Sequence, residues 1–163
     1  MDDIRAGTGY DVHAFAEGRP LVLGGVTIPH ERGLQGHSDA DVLSHAIGDA
    51  MLGAAGLGDI GIHFPDTDAR YRGISSLVLL QRIVDALGES GYTISNVDAT
   101  VVAERPKLSP YVSQMRSRIG EALGLPDDRV SIKATTSERL GFTGREEGIA
   151  AHAVVLIRSA DGG

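Results

Sequence analysis

The sequence predicts an α+β protein with a mixed β-sheet, and three observations carry this prediction. The chain has 163 residues, enough for one domain with its own core, and we expect that domain to span residues 1–163. Hydrophobic residues make up 42% of the chain and tryptophan is absent, so the core must be mostly aliphatic. Strand-like and helix-like segments are interspersed without strict alternation, a pattern typical of α+β folds with mixed sheets.

The first predicted elements are three strands and a helix. Alternation over Ile4 to Phe15 predicts a strand, and Leu21 to Pro29 favours two short strands around a Gly-Gly turn. Ser38 followed by Asp41 resembles a capping box and predicts a helix that begins at Ser38. Gly56 is the expected end of this helix, whose apolar stripe is formed by Leu43, Ala46, Ile47, Ala50 and Ala54.

A glycine- and aspartate-rich loop over residues 56–68 separates this helix from the next one. The second helix is expected to begin at Ser75 or Ser76 and to end at Gly88 or Gly91. The residues that it is predicted to bury are Leu77, Leu80, Val84 and Leu87.

The remaining predicted elements are three strands and one long helix. β-Branched residues predict a strand over Thr93 to Glu104, followed by a loop with the sequence RPKLSP. Ser109 is the expected N-cap of the next helix, since a proline follows it. Strands are predicted over Val130 to Thr136 and Ile149 to Arg158, with a turn or short helix and then a loop between them. The inner face of the long helix is expected to contain Val112, Met115, Ile119 and Leu123.

Charge and composition argue against several classes of protein and of metal site. The formal net charge of −7 argues against a general nucleic-acid binder, because neutralising phosphates requires a basic surface. The chain has no cysteine, so any zinc ion must be held by histidine and carboxylate. The N-terminus has no apolar signal segment and no apolar run is long enough to span a membrane, so we expect a cytoplasmic protein without a membrane partner.

The stretch GYDVHAF places Asp11 and His13 on the same face of the first strand, since side chains alternate along a strand. Such a pair is compatible with an ordinary surface contact, an acid–base pair or part of a metal site. Together with His45 on the following helix, the pair would form a ligand set of one carboxylate and two imidazoles, which suits a catalytic zinc ion with an open fourth position. The spacing does not show that the strand and the helix meet, so both interpretations stay open.

Three other segments carry groups that suit phosphates, although ordinary structure explains each of them too. His37 and Ser38 lie at the predicted helix start, where free N–H groups favour an anion, but Ser38 also suits a simple cap. The segment ATTSE directly follows a predicted strand, and its last residue, Glu138, is a carboxylate of the type that Mg²⁺ prefers. Lys107, one of only two lysines, lies in the RPKLSP loop, where a mobile cation suits a phosphate or a base.

These segments occur together, in the same order, in one family. The motifs of the 2-C-methyl-D-erythritol 2,4-cyclodiphosphate synthase family are similar to GYDVHAF, HSDADVLSHAIGDAMLGAAGLGDIG, FPDTD, NVDATVVAERPKLSPY and IKATTSERLGFTGREEGIA, between about Gly7 and Ile157. The resemblance implies that a small cytidine diphosphate substrate, 4-diphosphocytidyl-2-C-methyl-D-erythritol 2-phosphate, is cyclised with release of CMP in the non-mevalonate isoprenoid pathway. It also implies a sheet packed on one side by helices, in a homotrimer whose sheets face a central axis and whose active sites lie between subunits.

The resemblance further implies two metal sites. Zn²⁺ is expected on Asp11, His13 and His45, and Mg²⁺ or Mn²⁺ is expected beside Glu138. These ions would offset the charge of a highly anionic substrate, so that positioning and electrostatics dominate the reaction.

The resemblance assigns the organic parts of the substrate to other segments. His37 and Thr136 are the implied catalytic residues, as stabilisers of the transition state. The residues expected to bind the methylerythritol and phosphate groups are Ser38, Asp59, Ile60, Gly61, Phe64, Pro65, Asp66, Thr67 and Asp68. The residues expected to bind the nucleotide are Ala103, Lys107, Leu108, Ser109, Ala134, Thr135 and Thr136, and a cavity near the trimer axis is expected at Phe142 and Arg145.

Two other functions remain compatible with the same residues. A metal-dependent nucleotide pyrophosphohydrolase would use the same loops with water as the nucleophile, and would yield two linear phosphates instead of a cyclic diphosphate. A non-catalytic trimeric module would bind a nucleotide or an isoprenoid diphosphate without turnover. The product of the reaction distinguishes all three functions.

Overall fold

The computed structural model describes residues 3–160, in which strands and helices follow one another in the mixed order expected from the sequence. Short 3₁₀ turns lie at Ala69–Tyr71, Ser109–Tyr111 and Asp127–Arg129. The strands are β1 (Ile4–Ala16), β2 (Leu21–Leu23), β3 (Val26–Ile28), β4 (Gly33–Leu34), β5 (Tyr92–Val102), β6 (Val130–Thr135) and β7 (Gly148–Ser159). The helices are α1 (Val42–Ala55), α2 (Ile60–His63), α3 (Ser76–Glu89), α4 (Val112–Leu123) and α5 (Gly141–Gly144).

Five of the strands form one mixed sheet in the order β4-β1-β7-β5-β6. Only β5 and β6 run parallel among these strands, so their carboxyl ends meet at the same edge of the sheet. β2 and β3 form a separate hairpin, whose turn uses Gly24 and Gly25 at φ of 57° and 72°. The predicted α+β class with a mixed sheet is therefore confirmed.

Helix α1 lies directly on β1 because β1 has glycines where the two backbones approach. A Cβ atom added at Gly7 would overlap the carbonyl oxygen of Ala50, and one added at Gly9 would overlap that of Ala46. Gly7 and Gly9 share their face of the strand with Asp11 and His13. The helix therefore runs along the same face that carries the two predicted metal ligands.

The opposite face of the sheet is not covered by any helix in the described part of the chain. Tyr10, Val12 and Val154 point to this face and are 53%, 38% and 46% exposed. The ring of Tyr10 contacts the imidazole of His152, with centroids 4.6 Å apart. Helices α1, α3 and α4 all pack on the other side, where the aliphatic core is buried. Within residues 3–160, no helix has the length and apolarity needed to cross a membrane.

Helix α1 begins at Val42 rather than at Ser38, so the predicted start is wrong. Asp41 is the N-cap, and its fully buried carboxylate accepts hydrogen bonds from the backbone N–H groups of Ser44, Gly24 and Gly25. The contact with the β2–β3 turn explains the difference, because Asp41 caps the helix and the turn at once. The end at Gly56, in left-handed conformation, is confirmed.

Two details of the other helices also differ from the predictions. Helix α3 buries Leu79 and Ile83 more completely than the predicted Leu77 and Val84, because its core-facing side is rotated toward α1 and α4. Ser109 caps no helix through its side chain, because it opens a 3₁₀ turn that precedes α4. The short strand β4 was not predicted, whereas the bounds of β1, β5, β6 and β7 agree with the predictions to within two residues.

Candidate metal centre and two adjoining cavities

Asp11, His13 and His45 converge at the point where β1 meets α1. The Oδ2 atom of Asp11 lies 2.9 Å from Nε2 of His13 and 3.2 Å from Nδ1 of His45, and the two nitrogens are 3.2 Å apart. The three side chains are 26%, 17% and 15% exposed, so solvent reaches the cluster from one side only. The structure thus brings together the strand pair and the helix residue that sequence spacing alone left unconnected.

Hydrogen bonds to the outer ring nitrogens orient both imidazoles. Nδ1 of His13 donates to the carbonyl oxygen of Gln35 at 2.6 Å, which leaves its Nε2 lone pair facing Asp11. Nε2 of His45 donates to Oγ of Ser76 at 2.9 Å, and this hydroxyl in turn donates to Asp39. Asp39 also accepts a hydrogen bond from the backbone N–H of Ser76 at 3.0 Å. Both inward-facing nitrogens are therefore in the form that binds a metal ion.

The carboxylate of Asp11 stays ionised in this cluster. Burial raises the pKa of Asp11, but hydrogen bonds and charge from the imidazoles of His13 and His45 outweigh this effect and lower the pKa to about 2. Burial lowers the pKa of His13, but the carboxylate of Asp11 and the carbonyl of Gln35 raise it overall. The site therefore holds a permanent negative charge between two basic groups.

These residues fit a zinc ion. When the two imidazoles are neutral, Oδ2 of Asp11 is buried without any hydrogen-bond donor. With bonds of about 2.0–2.1 Å, two ligand atoms of a tetrahedral zinc ion lie about 3.3 Å apart, close to the three distances in the cluster. No other group of three or more histidine and acidic residues in the described ranges has this arrangement. The donor set therefore suits a divalent metal ion with one position open to solvent.

A first cavity of about 460 Å³ opens beside the candidate metal cluster, which consists of the side chains of Asp11, His13 and His45. Its floor holds the cluster, and its walls come from the loop before α1 and from α2 with the residues that follow it. Arg19 fixes the loop before α1, because its guanidinium donates to the carbonyl oxygens of Gly36 and Ser38. The predicted residues that line this cavity are Asp11, His13, His37, Ser38, His45, Ile60, Gly61, Phe64, Pro65 and Asp66.

Three predicted substrate residues are not among those that line the first cavity. Asp59 caps α2, where its carboxylate accepts from the N–H of Ile62 at 2.9 Å. Asp68 forms an ion pair with Arg70, with 2.6 Å between Oδ2 of Asp68 and Nη2 of Arg70. The backbone carbonyl oxygen of Asp68 accepts a hydrogen bond from Nε2 of His37 at 3.0 Å. Thr67 precedes it in the same segment. These residues shape the wall from behind, and the hydrogen bond to Asp68 fixes the ring of His37.

His37 and Ser38 are not at a helix start, so the physical reason first given for an anion there is wrong. Helix α1 begins four residues after Ser38, and the carboxylate of Asp41 accepts a hydrogen bond from the N–H of Ser44 in its first turn. Ser38 instead accepts from the N–H of Ala40 and lies 3.2 Å from Nε2 of His45. Both residues nevertheless line the first cavity next to the metal cluster.

A second cavity, of about 410 Å³, lies at the edge where β5 and β6 end. It forms there because parallel strands deliver their following loops to the same side, with Val102 paired with Thr135. The cavity is lined by all the predicted nucleotide residues, namely Ala103, Lys107, Leu108, Ser109, Ala134, Thr135 and Thr136, together with Glu104 and Pro106.

Thr136 and Glu138 lie beside the second cavity in a tight loop. Oγ1 of Thr136 donates to the carboxylate of Glu138, and the N–H of Glu138 donates back to Oγ1, both at 3.3 Å. A single exposed carboxylate suits Mg²⁺, which commonly binds through one or two carboxylates, water and substrate phosphates. Thr136 and His37 line different cavities of the same chain.

The two residues expected near a trimer axis precede β7. Phe142, in α5, is half-buried, whereas Arg145 is exposed and forms an ion pair with Glu147, with 2.8 Å between Nε and Oε1. Neither residue lines the first or the second cavity.

Sequence reasoning missed several residues that support these sites. Ser76 was identified only as a helix start, and no local signal connects it with His45, 31 residues earlier. The carbonyl of Gln35 has no sequence signature, since every residue carries one. Glu104 was taken as the end of a strand, although its carboxylate accepts from the N–H groups of Ser137 and Arg139. Other residues missed by sequence reasoning are Asp39, Arg19, Tyr71 and Leu79.

Comparisons with known proteins place these features in context. The model of the YgbB family matches residues 4–158. A 2-C-methyl-D-erythritol 2,4-cyclodiphosphate synthase from Syntrophobacter fumaroxidans is 63% identical over 156 residues, which cover 96% of this chain and 98% of that protein. The IspF structure from Plasmodium falciparum in complex with CDP is 34% identical, with a TM-score of 0.84 over 97% of both chains.

A longer protein contains the same fold as one of its parts. The bifunctional IspDF from Campylobacter jejuni has a TM-score of 0.94 and 46% identity to this chain. The match covers 98% of this chain but only 43% of that one. The present chain is thus similar to one portion of the bifunctional protein.

Proposed function

The chain belongs to the YgbB family of 2-C-methyl-D-erythritol 2,4-cyclodiphosphate synthases, and from this membership we propose how its own residues carry out the family's reaction. The activity is the conversion of 4-diphosphocytidyl-2-C-methyl-D-erythritol 2-phosphate to the 2,4-cyclodiphosphate with release of CMP, in the non-mevalonate isoprenoid pathway. An oxygen of the substrate's 2-phosphate forms a bond to the β-phosphorus. The bond from that phosphorus to the bridging oxygen breaks, and CMP leaves with the bridging oxygen.

We propose that Asp11, His13 and His45 hold Zn²⁺ in this reaction. The support is the convergence of three lone-pair donors, with Gln35 and Ser76 keeping the protons on the outer nitrogens. A zinc ion at this place would supply Lewis acidity and would offset phosphate charge. The protein's own contribution is to keep the ligands in the correct tautomers and to expose one side of the cluster to the first cavity.

We propose that the loop before α1 orients the phosphate that reacts. His37 and Ser38 line the first cavity beside the metal cluster, and Arg19 holds the loop from behind. Because Nε2 of His37 donates to Asp68, the Nδ1 side of the ring is left for the substrate. In this proposal Nδ1 also carries a proton when the substrate is bound and donates a hydrogen bond to the phosphate, which stabilises the negative charge that develops in the transition state.

The walls of the first cavity suit the methylerythritol part of the substrate. Phe64 and Ile60 offer apolar contact to the methyl group and carbon chain, and the carboxylate of Asp66 accepts hydrogen bonds from hydroxyl groups. The shape of this wall is proposed to depend on five further residues, namely Asp59, Gly61, Pro65, Thr67 and Asp68.

The second cavity is proposed to hold the cytidine and its phosphates. Ala103, Ala134 and Leu108 give small or apolar walls against which a base can lie, with Ser109 at the rim. Lys107 supplies a cation, and Thr135 and Thr136 supply hydroxyl groups for the phosphates. Glu138 is proposed to share Mg²⁺ or Mn²⁺ with the phosphates. The bound CDP of the Plasmodium falciparum structure supports a cytidine ligand of this kind.

We propose a homotrimer in which the first cavity of one subunit meets the second cavity of its neighbour. One substrate must reach both sets of residues, yet the two cavities share no lining residue within residues 3–160. The open sheet face, with its exposed Tyr10, Val12 and Val154, is the surface proposed to face the trimer axis. Phe142 and Arg145 would line the cavity near that axis. Analytical ultracentrifugation tests this assembly, and a stable, active monomer would contradict it.

The chain is proposed to act as one domain over residues 1–163 in the cytoplasm. A continuous aliphatic core joins α1, α3, α4, β5 and β7, which supports a single unit. The bacterial biosynthetic enzymes among its relatives support the location.

The metal cluster beside the first cavity is the observation that carries this assignment of roles. The test is to incubate the purified protein with the substrate, Zn²⁺ and Mg²⁺, and to follow phosphorus by NMR. We expect CMP and a cyclic diphosphate to appear together. CMP with linear phosphates would indicate a pyrophosphohydrolase instead, and CMP binding without turnover would indicate a binding module.

A further inference from the structure

The loop between β6 and α5 has an unusual backbone. Glu138 and Arg139 are consecutive non-glycine residues with φ of 54° and 65°, in the left-handed region. Side chains disfavour this region because the Cβ atom crowds the carbonyl oxygen, so such residues persist only where their surroundings hold them. Something in the structure must therefore stabilise this turn, which lies directly after Thr136.

The carboxylate of Glu104 holds the turn from the side of β5, while the hydroxyl of Ser137 donates to the carbonyl oxygen of Leu140 at 2.8 Å within the loop itself. The Oε1 atom of Glu104 accepts hydrogen bonds from the backbone N–H groups of Ser137, at 3.2 Å, and Arg139, at 2.9 Å. The hydroxyl of Ser137 also lies 3.4 Å from the same oxygen. Charge-assisted hydrogen bonds of this kind are stronger than neutral ones. A single carboxylate oxygen thus fixes both ends of the strained segment.

The sheet brings Glu104 to this position. β5 and β6 run parallel, Val102 pairs with Thr135, and the N–H of Ala103 donates to the carbonyl of Thr135 at 3.0 Å. Glu104 is the next residue along, and its half-buried side chain lies beside the loop that leaves β6. Glu104 therefore lies only two residues beyond the end of β5, an interior strand of the sheet, which fixes the position of its backbone.

The turn in its held form presents two groups together. The hydroxyl of Thr136 and the carboxylate of Glu138 are 3.3 Å apart, and the N–H of Glu138 closes the contact from the other side. Glu104 itself lines the second cavity, where a free carboxylate would repel phosphate. Its two backbone donors offset that charge, so an acidic residue is tolerated beside an anion site.

We propose that Glu104 is a positioning residue, whose carboxylate holds the turn of residues 137–139 and so fixes Thr136 and Glu138 for the substrate phosphates and their divalent metal ion. This inference rests on the proposed roles of Thr136 and Glu138. It assigns Glu104 no contact with the reacting atoms.

Two substitutions and a control separate this role from a general structural one. In Glu104→Ala the backbone donors lose their acceptor, whereas Glu104→Gln keeps an amide oxygen that can accept both hydrogen bonds. The control is Glu121→Ala on α4, because the exposed side chain of Glu121 makes no hydrogen bond within residues 3–160. The first measurement is CDP affinity by titration calorimetry with and without Mg²⁺, and the second is kcat, with zinc content and melting temperature as checks on the fold.

In Glu104→Ala we expect the gain in CDP affinity from Mg²⁺ to fall about tenfold and kcat to fall by at least about tenfold, with zinc content unchanged. Glu104→Gln is expected to retain most of the Mg²⁺-dependent gain in CDP affinity and most of kcat. Glu121→Ala is expected to keep the wild-type value of each quantity. The inference is overturned if Glu104→Ala keeps the wild-type response to Mg²⁺, or if Glu104→Gln is impaired as much as Glu104→Ala. Wild-type protein that makes no cyclic diphosphate would instead overturn the proposed function.

Discussion

The two cavities are built in different ways. In the first, the side chains that converge on one point are carried by a long strand and a long helix, and each imidazole is oriented by a separate hydrogen bond. In the second, the lining residues come from the end of β6 and from the loops that follow β5 and β6, and a carboxylate holds one of these loops in left-handed backbone. The first is rigid because of regular structure, and the second because of a few local contacts.

This difference corresponds to what each cavity is proposed to recognise. A metal ion needs ligand atoms within a few tenths of an ångström of fixed positions, which packed secondary structure supplies. A nucleotide offers a flat base and several phosphate oxygens, which loop backbone, hydroxyl groups and a mobile lysine can follow. Changes in the first cavity should therefore affect metal content, and changes in the second should affect nucleotide affinity.

Replacing His45 with alanine is expected to have the largest effect. This change removes one of three ligands, so His45→Ala should lose bound zinc and nearly all turnover while keeping its fold. Zinc content by atomic emission and the circular dichroism spectrum check this expectation. The matched control is His30→Ala, outside the first cavity, and full activity without zinc in His45→Ala would contradict the metal assignment.

A smaller effect is expected at Ser76, which contacts His45 but is not itself a ligand. Ser76→Ala removes the oxygen that accepts the Nε2 proton, so zinc affinity should fall by about 10–100-fold. Competition with a chelator measures this affinity, and CDP affinity should stay within about twofold of wild type. A variant with unchanged zinc affinity would show that Ser76 is not needed to orient the imidazole, which Oγ of Ser38 also approaches at 3.2 Å.

The smallest effect is expected at Lys107 in the second cavity. Lys107→Ala should weaken CMP binding by about tenfold, equivalent to ~1.4 kcal/mol, while zinc content stays unchanged. Lys133→Ala is a matched control, because Lys133 is the only other lysine and is paired with Asp98 at 2.7 Å. Equal CMP affinity in the two variants would place the nucleotide elsewhere.

The sequence predicted the framework of the first cavity better than its details. Alternation placed Asp11 and His13 on one face, and together with His45 they formed a possible zinc ligand set, but spacing alone did not show that the strand and the helix meet. The start of α1 was wrong because Ser38 and Asp41 both suit a cap, and only the contact of Asp41 with the Gly24-Gly25 turn decides between them. Contacts between distant segments, such as Ser76 with His45, leave no local pattern.

The second cavity is lined mostly by residues that the family resemblance assigned to the nucleotide. Its residues are contiguous in two short segments that follow neighbouring strands, so the motif and the cavity nearly coincide. Glu104 and Pro106 line the cavity as well, and the importance of Glu104 depends on the backbone conformation of residues 137–139. Two consecutive left-handed non-glycine residues contradict their local preference, so sequence patterns cannot indicate them.

The glycines of β1 also determine which substitutions the core can accept in evolution. Because α1 touches the backbone of β1 at Gly7 and Gly9, the gap between strand and helix is set by atoms that have no rotamers. This backbone contact fixes the distance between β1 and α1. Substitutions at the buried residues Met51 or Leu80 would lower the melting temperature without altering that gap. Core residues can therefore change in evolution while the distance between the ligands on β1 and the ligand on α1 is kept.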